Sequence, residues 1–71
     1  MSEAFTTRID YAGGTNIVYF GKALSGTDEG ITGWQIQKFS YTGNDLTKIS
    51  FADDTSNFIK RWDDRTTYSY D

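Results

Sequence analysis

Trp34-Gln-Ile-Gln-Lys-Phe-Ser-Tyr41, Thr42-Gly-Asn-Asp45 and Leu46-Thr-Lys-Ile-Ser-Phe-Ala52 follow one another without a break, and their reading decides the fold. Two arms rich in aromatic and β-branched residues flank a Gly/Asn/Asp turn, which is the pattern of a β-hairpin. Tyr41 opposite Leu46 across that turn sets Lys38 opposite Ile49 and Ile36 opposite Phe51. Strand side chains alternate faces, so Trp34, Ile36, Ile49 and Phe51 are expected together on one side, as core. Phe39 and Tyr41 fall on the other side with Leu46. Gln35, Gln37, Lys48 and Ser50 dilute that second face, which reads as a contact surface.

A second hairpin precedes this one. Phe5-Thr-Thr-Arg-Ile-Asp-Tyr11 alternates, with Phe5, Thr7, Ile9 and Tyr11 on one face; Phe5 and Ile9 are expected in the core. Ala12-Gly-Gly-Thr-Asn16 is turn chemistry. Ile17-Val-Tyr-Phe-Gly-Lys-Ala-Leu24 reads as the returning strand, where Gly21 marks a bulge, a bend or a close approach of another backbone. Ser25 to Gly33 is a polar loop with three glycines, and its single apolar residue, Ile31, is expected to tuck against the core.

After the central hairpin, Asp53-Asp-Thr-Ser56 is a turn. The spacing of Phe58, Ile59 and Trp62 predicts a short helical turn or an irregular crossing over 57–62, too short to stand as an independent helix. Arg65-Thr-Thr-Tyr-Ser-Tyr70 alternates again and reads as a last strand. About five strands at this spacing predict an all-β domain, a small antiparallel barrel or a two-layer sheet built from two hairpins. The expected organisation is a single domain over 1–71, with 1–4 a short N-terminal arm.

Composition narrows the function. The 71 residues contain neither cysteine nor histidine, which removes disulfides, the usual zinc sites and imidazole general bases. A domain of this size without staples often gains stability from copies of itself or from a larger partner. Aromatic residues make up 17% of the chain, more than so small a core can hide, and the surplus favours interfaces. A net charge of −3, with scattered Lys and Arg, gives no footprint for nucleic acid. No apolar run is long enough to cross a bilayer, and Met1-Ser-Glu-Ala-Phe5 lacks the basic and apolar regions of a signal peptide. The expectation is a protein made in the cytoplasm and not exported by that route.

The acidic pairs Asp28-Glu29, Asp53-Asp54 and Asp63-Asp64 are read as solvated turn residues, ahead of calcium binding or glycoside hydrolysis. None lies in an Asp-x-Asp-x-Asp-Gly loop, so no metal, cofactor or catalytic residue is assigned and no enzyme activity is expected. The tyrosines and phenylalanines are read as core plus protein interface, ahead of a platform for carbohydrate. Phe39, Tyr41, Trp62, Tyr68 and Tyr70 are the expected interface residues. A carbohydrate-binding module that attaches to host glycans is the alternative, and it requires a flat, solvent-facing strip of Tyr and Trp.

Three pieces carry a resemblance: Thr7-Arg-Ile-Asp-Tyr11 before a Gly turn and an aromatic strand, Trp34-x-Ile-x-Lys38, and Trp62-Asp-Asp-Arg65 running into Tyr68-Ser-Tyr70. Together, over most of residues 7–70, they resemble short proteins encoded among the virion structural genes of tailed bacteriophages. The resemblance implies a non-enzymatic assembly role, with many copies decorating the capsid or lining the neck or tail. It implies copies of the chain and larger phage structural proteins as partners, and the virion, assembled in the host cytoplasm, as location.

Overall fold

The computed structural model describes residues 4–71. The chain is all-β: β1 (Phe5–Asp10), β2 (Tyr19–Leu24), β3 (Gln35–Thr42) and β4 (Asp45–Phe51) form one antiparallel sheet in the order β1-β2-β3-β4. The expected N-terminal arm lies, except for Ala4, outside the described residues. Four strands form where five were expected, and β1 and β4 do not pair with each other, so the sheet is open and not a barrel. The second layer is not a sheet. It is the irregular segment after β4, which contains single 3-10 turns at Ala52–Asp54 and Trp62–Asp64 and folds over one face, here called the inner face.

The core explains why. Trp34 and Ile36 are fully buried as expected, and Ala23, Ala52 and Trp62 join them. The Trp34 and Trp62 rings meet at 6.0 Å between centroids, inclined at 39°. Gly21 is the floor under this pair: a Cβ built there would stand 2.5 Å from Trp62 Cε3. The sequence reading offered a bulge, a bend or another backbone at this glycine; what approaches is a side chain, the indole of Trp62. Arginines cap both rings, Arg65 at 4.6 Å over Trp62 and Arg8 at 5.7 Å over Trp34, so a cation–π contact covers each indole edge.

Trp62 therefore lies over the middle of the sheet, and the chain after it is held above a face instead of beside an edge. Its backbone bonds locally, Arg65 N–H to Trp62 C=O (3.1 Å) and Thr67 N–H to Asp64 C=O (2.8 Å), so 65–70 forms no strand. The short helical turn falls at Trp62–Asp64, after the expected 57–62. Within 57–62, Lys60 forms a β-bridge with Trp34, exchanging hydrogen bonds of 3.0 and 2.9 Å. Tyr19, Tyr68 and Tyr70 pack around the indoles, and the Tyr70 hydroxyl donates to Arg65 C=O.

Polar ties fasten this layer. Arg65 Nε donates to Asp10 Oδ2 at 2.8 Å, joining residues 55 apart in sequence, with both side chains about three-quarters buried. Asp53 accepts from Lys60 Nζ (2.6 Å) and Ser69 N–H (3.0 Å), while its own N–H donates to Ser69 C=O. Asp53 and Asp54 both have left-handed backbone (φ 51° and 59°), a conformation Asp tolerates better than most residues. Ser50, buried on the inner face, donates to Asp71 C=O.

Two outcomes follow from this packing. Gly21→Ala should cost about 1–3 kcal/mol in urea unfolding, because the added methyl meets an indole that has no room to retreat. Acid should loosen the C-terminal layer. The Ala12 N–H and the Arg65 guanidinium hold the Asp10 carboxyl below its usual range. A lowered native pKa adds stability above the unfolded value of about 3.9 and loses it as pH falls through the native one. Wild type and Asp10→Asn, distinct at pH 7, should converge in melting temperature as pH is lowered towards 2.

Candidate interaction surface

The sheet face away from the indoles, the outer face, is covered among the described residues only at one end, where Phe58 packs on Phe5 and Gln35 donates to Ser56 C=O. Its composition follows from register. The hairpin pairs Tyr41 with Leu46 as read from sequence, but Ser40 pairs with Lys48, leaving Thr47 as an extra residue in β4. The bulge shifts all later pairs by one: Phe39 faces Ile49 and Gln37 faces Phe51. A one-residue slip moves every side chain to the opposite face. Ile49 and Phe51, expected beside Trp34 and Ile36, therefore lie on the outer face, and Ser50 takes the inner one.

The same correction applies to β1. Arg8 is opposite Gly21 and Thr6 opposite Ala23, so Thr6, Arg8 and Asp10 line the inner face. Phe5 and Ile9, expected in the core, are 49% and 46% exposed on the outer face. The inner surface of β1 is polar because the arginine is needed there against Trp34. Ile31 is exposed as well and does not tuck against the core.

Across the strands the outer face reads Ile9, Phe20, Gln37, Phe51 in one row, with Phe39 and Ile49 in the next. Phe20 and Phe39 stack at 6.2 Å with rings 15° from parallel. Ile49 is 48% exposed. Tyr41, half-buried, donates its hydroxyl to Ile17 C=O at 2.7 Å, which anchors the turn end of the central hairpin to β2's approach. At the opposite end Phe5 and Phe58 meet at 6.0 Å beside Leu24, Thr27, Thr32 and Gly33, around a hollow of about 490 Å3. Among the described residues no titratable side chain lines that hollow, which offers shape and apolar contact.

Of the expected interface residues, Phe39 and Tyr41 lie on this outer face. Trp62 does not: it is 4% exposed and forms the core. Tyr68 and Tyr70 pack against that core on the inner side, where burial and neighbouring phenols push the Tyr70 hydroxyl well above the usual tyrosine range. Phe20, Ile9, Ile49 and Phe51 are the surface residues that sequence reasoning missed or placed inside. One signal for them exists. The apolar positions 46, 49 and 51 break the period of two by one residue, and such a skip marks a bulge.

The acidic pairs are spent on structure or point outward. Asp53 is held low by Lys60 and the Ser69 N–H, whereas Asp54, beside Asp71, is pushed up by that second carboxyl. Asp64 is 3.9 Å from Arg61. Among the described residues no group of three acidic side chains converges on a common point, and no helix is long and apolar enough to cross a membrane.

The register makes a direct test. Ile36→Ala should cost about 2–5 kcal/mol in chemical unfolding, while Ile49→Thr should change stability by less than about 0.5 kcal/mol. Comparable losses at both positions would return Ile49 to the core. Comparison with known protein families, with curated proteins and with solved structures found no match.

Proposed function

We propose that this chain is a non-enzymatic structural component of a tailed-phage virion that binds protein surfaces of the particle through its outer sheet face. Capsid decoration is preferred to a place in the neck or tail. One observation carries the reading: a stacked, half-buried Phe20–Phe39 pair lies on one face of the sheet between the exposed side chains of Ile9 and Ile49. Contiguous exposed apolar surface of this kind marks an interaction site in a small folded domain. The resemblance of Thr7–Tyr11, Trp34–Lys38 and Trp62–Tyr70 to phage virion proteins supplies the setting.

The mechanism is passive. Burying a Phe or Ile side chain contributes about 1.5–3 kcal/mol, so a few of them per copy, repeated over a lattice, raise the free energy needed to open the particle. Less supports the carbohydrate reading: both indoles are buried, Tyr19, Tyr68 and Tyr70 pack against the core, and Tyr11 is the one exposed tyrosine among the described residues. No flat strip of Tyr and Trp faces solvent among the described residues.

The test is co-sedimentation of the purified protein with tailed-phage capsid shells and, separately, tail tubes. Wild type should bind shells. Phe39→Asp should weaken that binding at least about tenfold, the effect of placing one charge in a desolvated apolar contact; because it also breaks the Phe20 stack and lowers the melting temperature, binding is compared at a temperature where circular dichroism shows the variant folded. Undiminished binding by Phe39→Asp, or no binding of wild type to either particle, would overturn the reading.

A further inference from the structure

We infer that copies of this chain join edge to edge, β1 of one copy against β4 of the next, with Ile9 opposite Ile49. This concerns the strand edges: it engages Ile9 and Ile49 at the two margins of the outer face and leaves the Phe20–Phe39 pair between them free. Among the described residues β1 pairs only with β2 and β4 only with β3, so each offers one unpaired edge. In a four-stranded meander β1 and β4 run antiparallel. A second copy's β1 laid beside β4 therefore continues the alternation of directions without a break.

The peptide groups point the right way. Ala4 C=O accepts from Ser25 N–H, which turns the even-numbered residues of β1 towards β2 and Phe5, Thr7 and Ile9 outward. Phe39 N–H donates to Val18 C=O, so Phe39 faces β2 and its neighbours Lys38 and Ser40 face β4. Their partners Ser50 and Lys48 point inward, leaving Ile49 and Phe51 to turn their peptide groups to the free edge.

Three registers set Ile9 opposite an outward residue of β4, and charge and strand length choose among them. Ile9 opposite Thr47 would set Arg8 against Lys48, two like charges, and would use the bulge residue. Ile9 opposite Phe51 would carry Thr7 onto Asp53, where the strand has ended and the backbone is left-handed (φ 51°). Ile9 opposite Ile49 sets Asp10 against Lys48 on the inner side and joins two half-exposed isoleucines on the outer side. Thr7 then faces Phe51 as a second hydrogen-bonded pair. Pairing of β1 with another β1 about Thr7 would match Phe5 with Ile9 and Thr7 with itself, but it joins no opposite charges, since Arg8 then faces Thr6 and Asp10 faces Ala4, outside the strand. Both halves of the favoured junction lie on this chain, so the occupant of each edge is a second copy. The contact is head-to-tail, and it closes as a ring or extends as a filament according to the rotation at each junction.

The chain has no cysteine, so an introduced thiol reports alone. Opposite residues of a hydrogen-bonded antiparallel pair are about 5.5 Å apart at Cα, within disulfide reach. Equal amounts of Ile9→Cys and Ile49→Cys, mixed and mildly oxidised, should give the mixed disulfide dimer as the main product by mass spectrometry. Thr7→Cys with Ile49→Cys should give at least about tenfold less, because its Cα atoms are too far apart in this register. Adding Lys48→Glu to the second variant should lower the mixed dimer about threefold, the scale of one cross-strand charge pair turned repulsive. A main product of Ile9→Cys with itself or Ile49→Cys with itself, or equal yield from the off-register mixture, would overturn the pairing. So would the absence of any disulfide together with a monomeric mass by light scattering.

Discussion

An indole lying on a glycine holds this domain together. Trp62 fills the space that a side chain at Gly21 would need, and Trp34 closes against it from β3. The rest of the inner face is arranged around those two rings: small residues at Ala23 and Ala52, three tyrosines at the perimeter, and an arginine over each indole. A four-stranded sheet without a second layer would leave Trp34 and Ile36 in water. The C-terminal segment supplies the cover and needs no regular secondary structure to do so, because one large side chain and a few hydrogen bonds fix its path.

Much of this was legible in the residues. Alternation and turn chemistry located both hairpins, the Tyr41–Leu46 pair, and Trp34 and Ile36 as core, because hairpins are local and their turns are marked by Gly and Asn. The face assignment of β4 was not legible by simple alternation. Thr47 is an ordinary strand residue, and nothing in its chemistry announces that it stands outside the ladder. One unpaired residue then carried Ile49 and Phe51 across the sheet. In β1 a strong pattern misled: Phe5 and Ile9 alternate as a core face would, yet the core claims Arg8 instead. That choice depends on Trp34, 26 residues away, and no local pattern encodes it.

The candidate surface was half visible for the same reason. Phe39 and Tyr41 were placed on it from the hairpin alone, whereas Phe20, Ile9, Ile49 and Phe51 needed the true register. Trp62, flanked by charges, looked like a surface residue. Those charges turn out to serve the core, since Arg65 both covers the Trp62 ring and reaches Asp10. The result is a molecule with unequal faces, one sealed by its own chain and one left apolar and bare. A domain this small has little stability to spare, so burial of the bare face by another surface adds to the stability of the fold as well as to affinity.

The distance in sequence between Gly21 and Trp62 has a consequence for synthesis. The strands are contiguous hairpins and can pair as they emerge, but the residue that seals them, Trp62, follows all four of them in the chain. Until it arrives, the nascent sheet has both of its faces uncovered. Ribosomal pausing or truncation before Trp62 would therefore release a sheet prone to stick to others of its kind, whereas completion of the final turn removes one of its two adhesive sides at a single step.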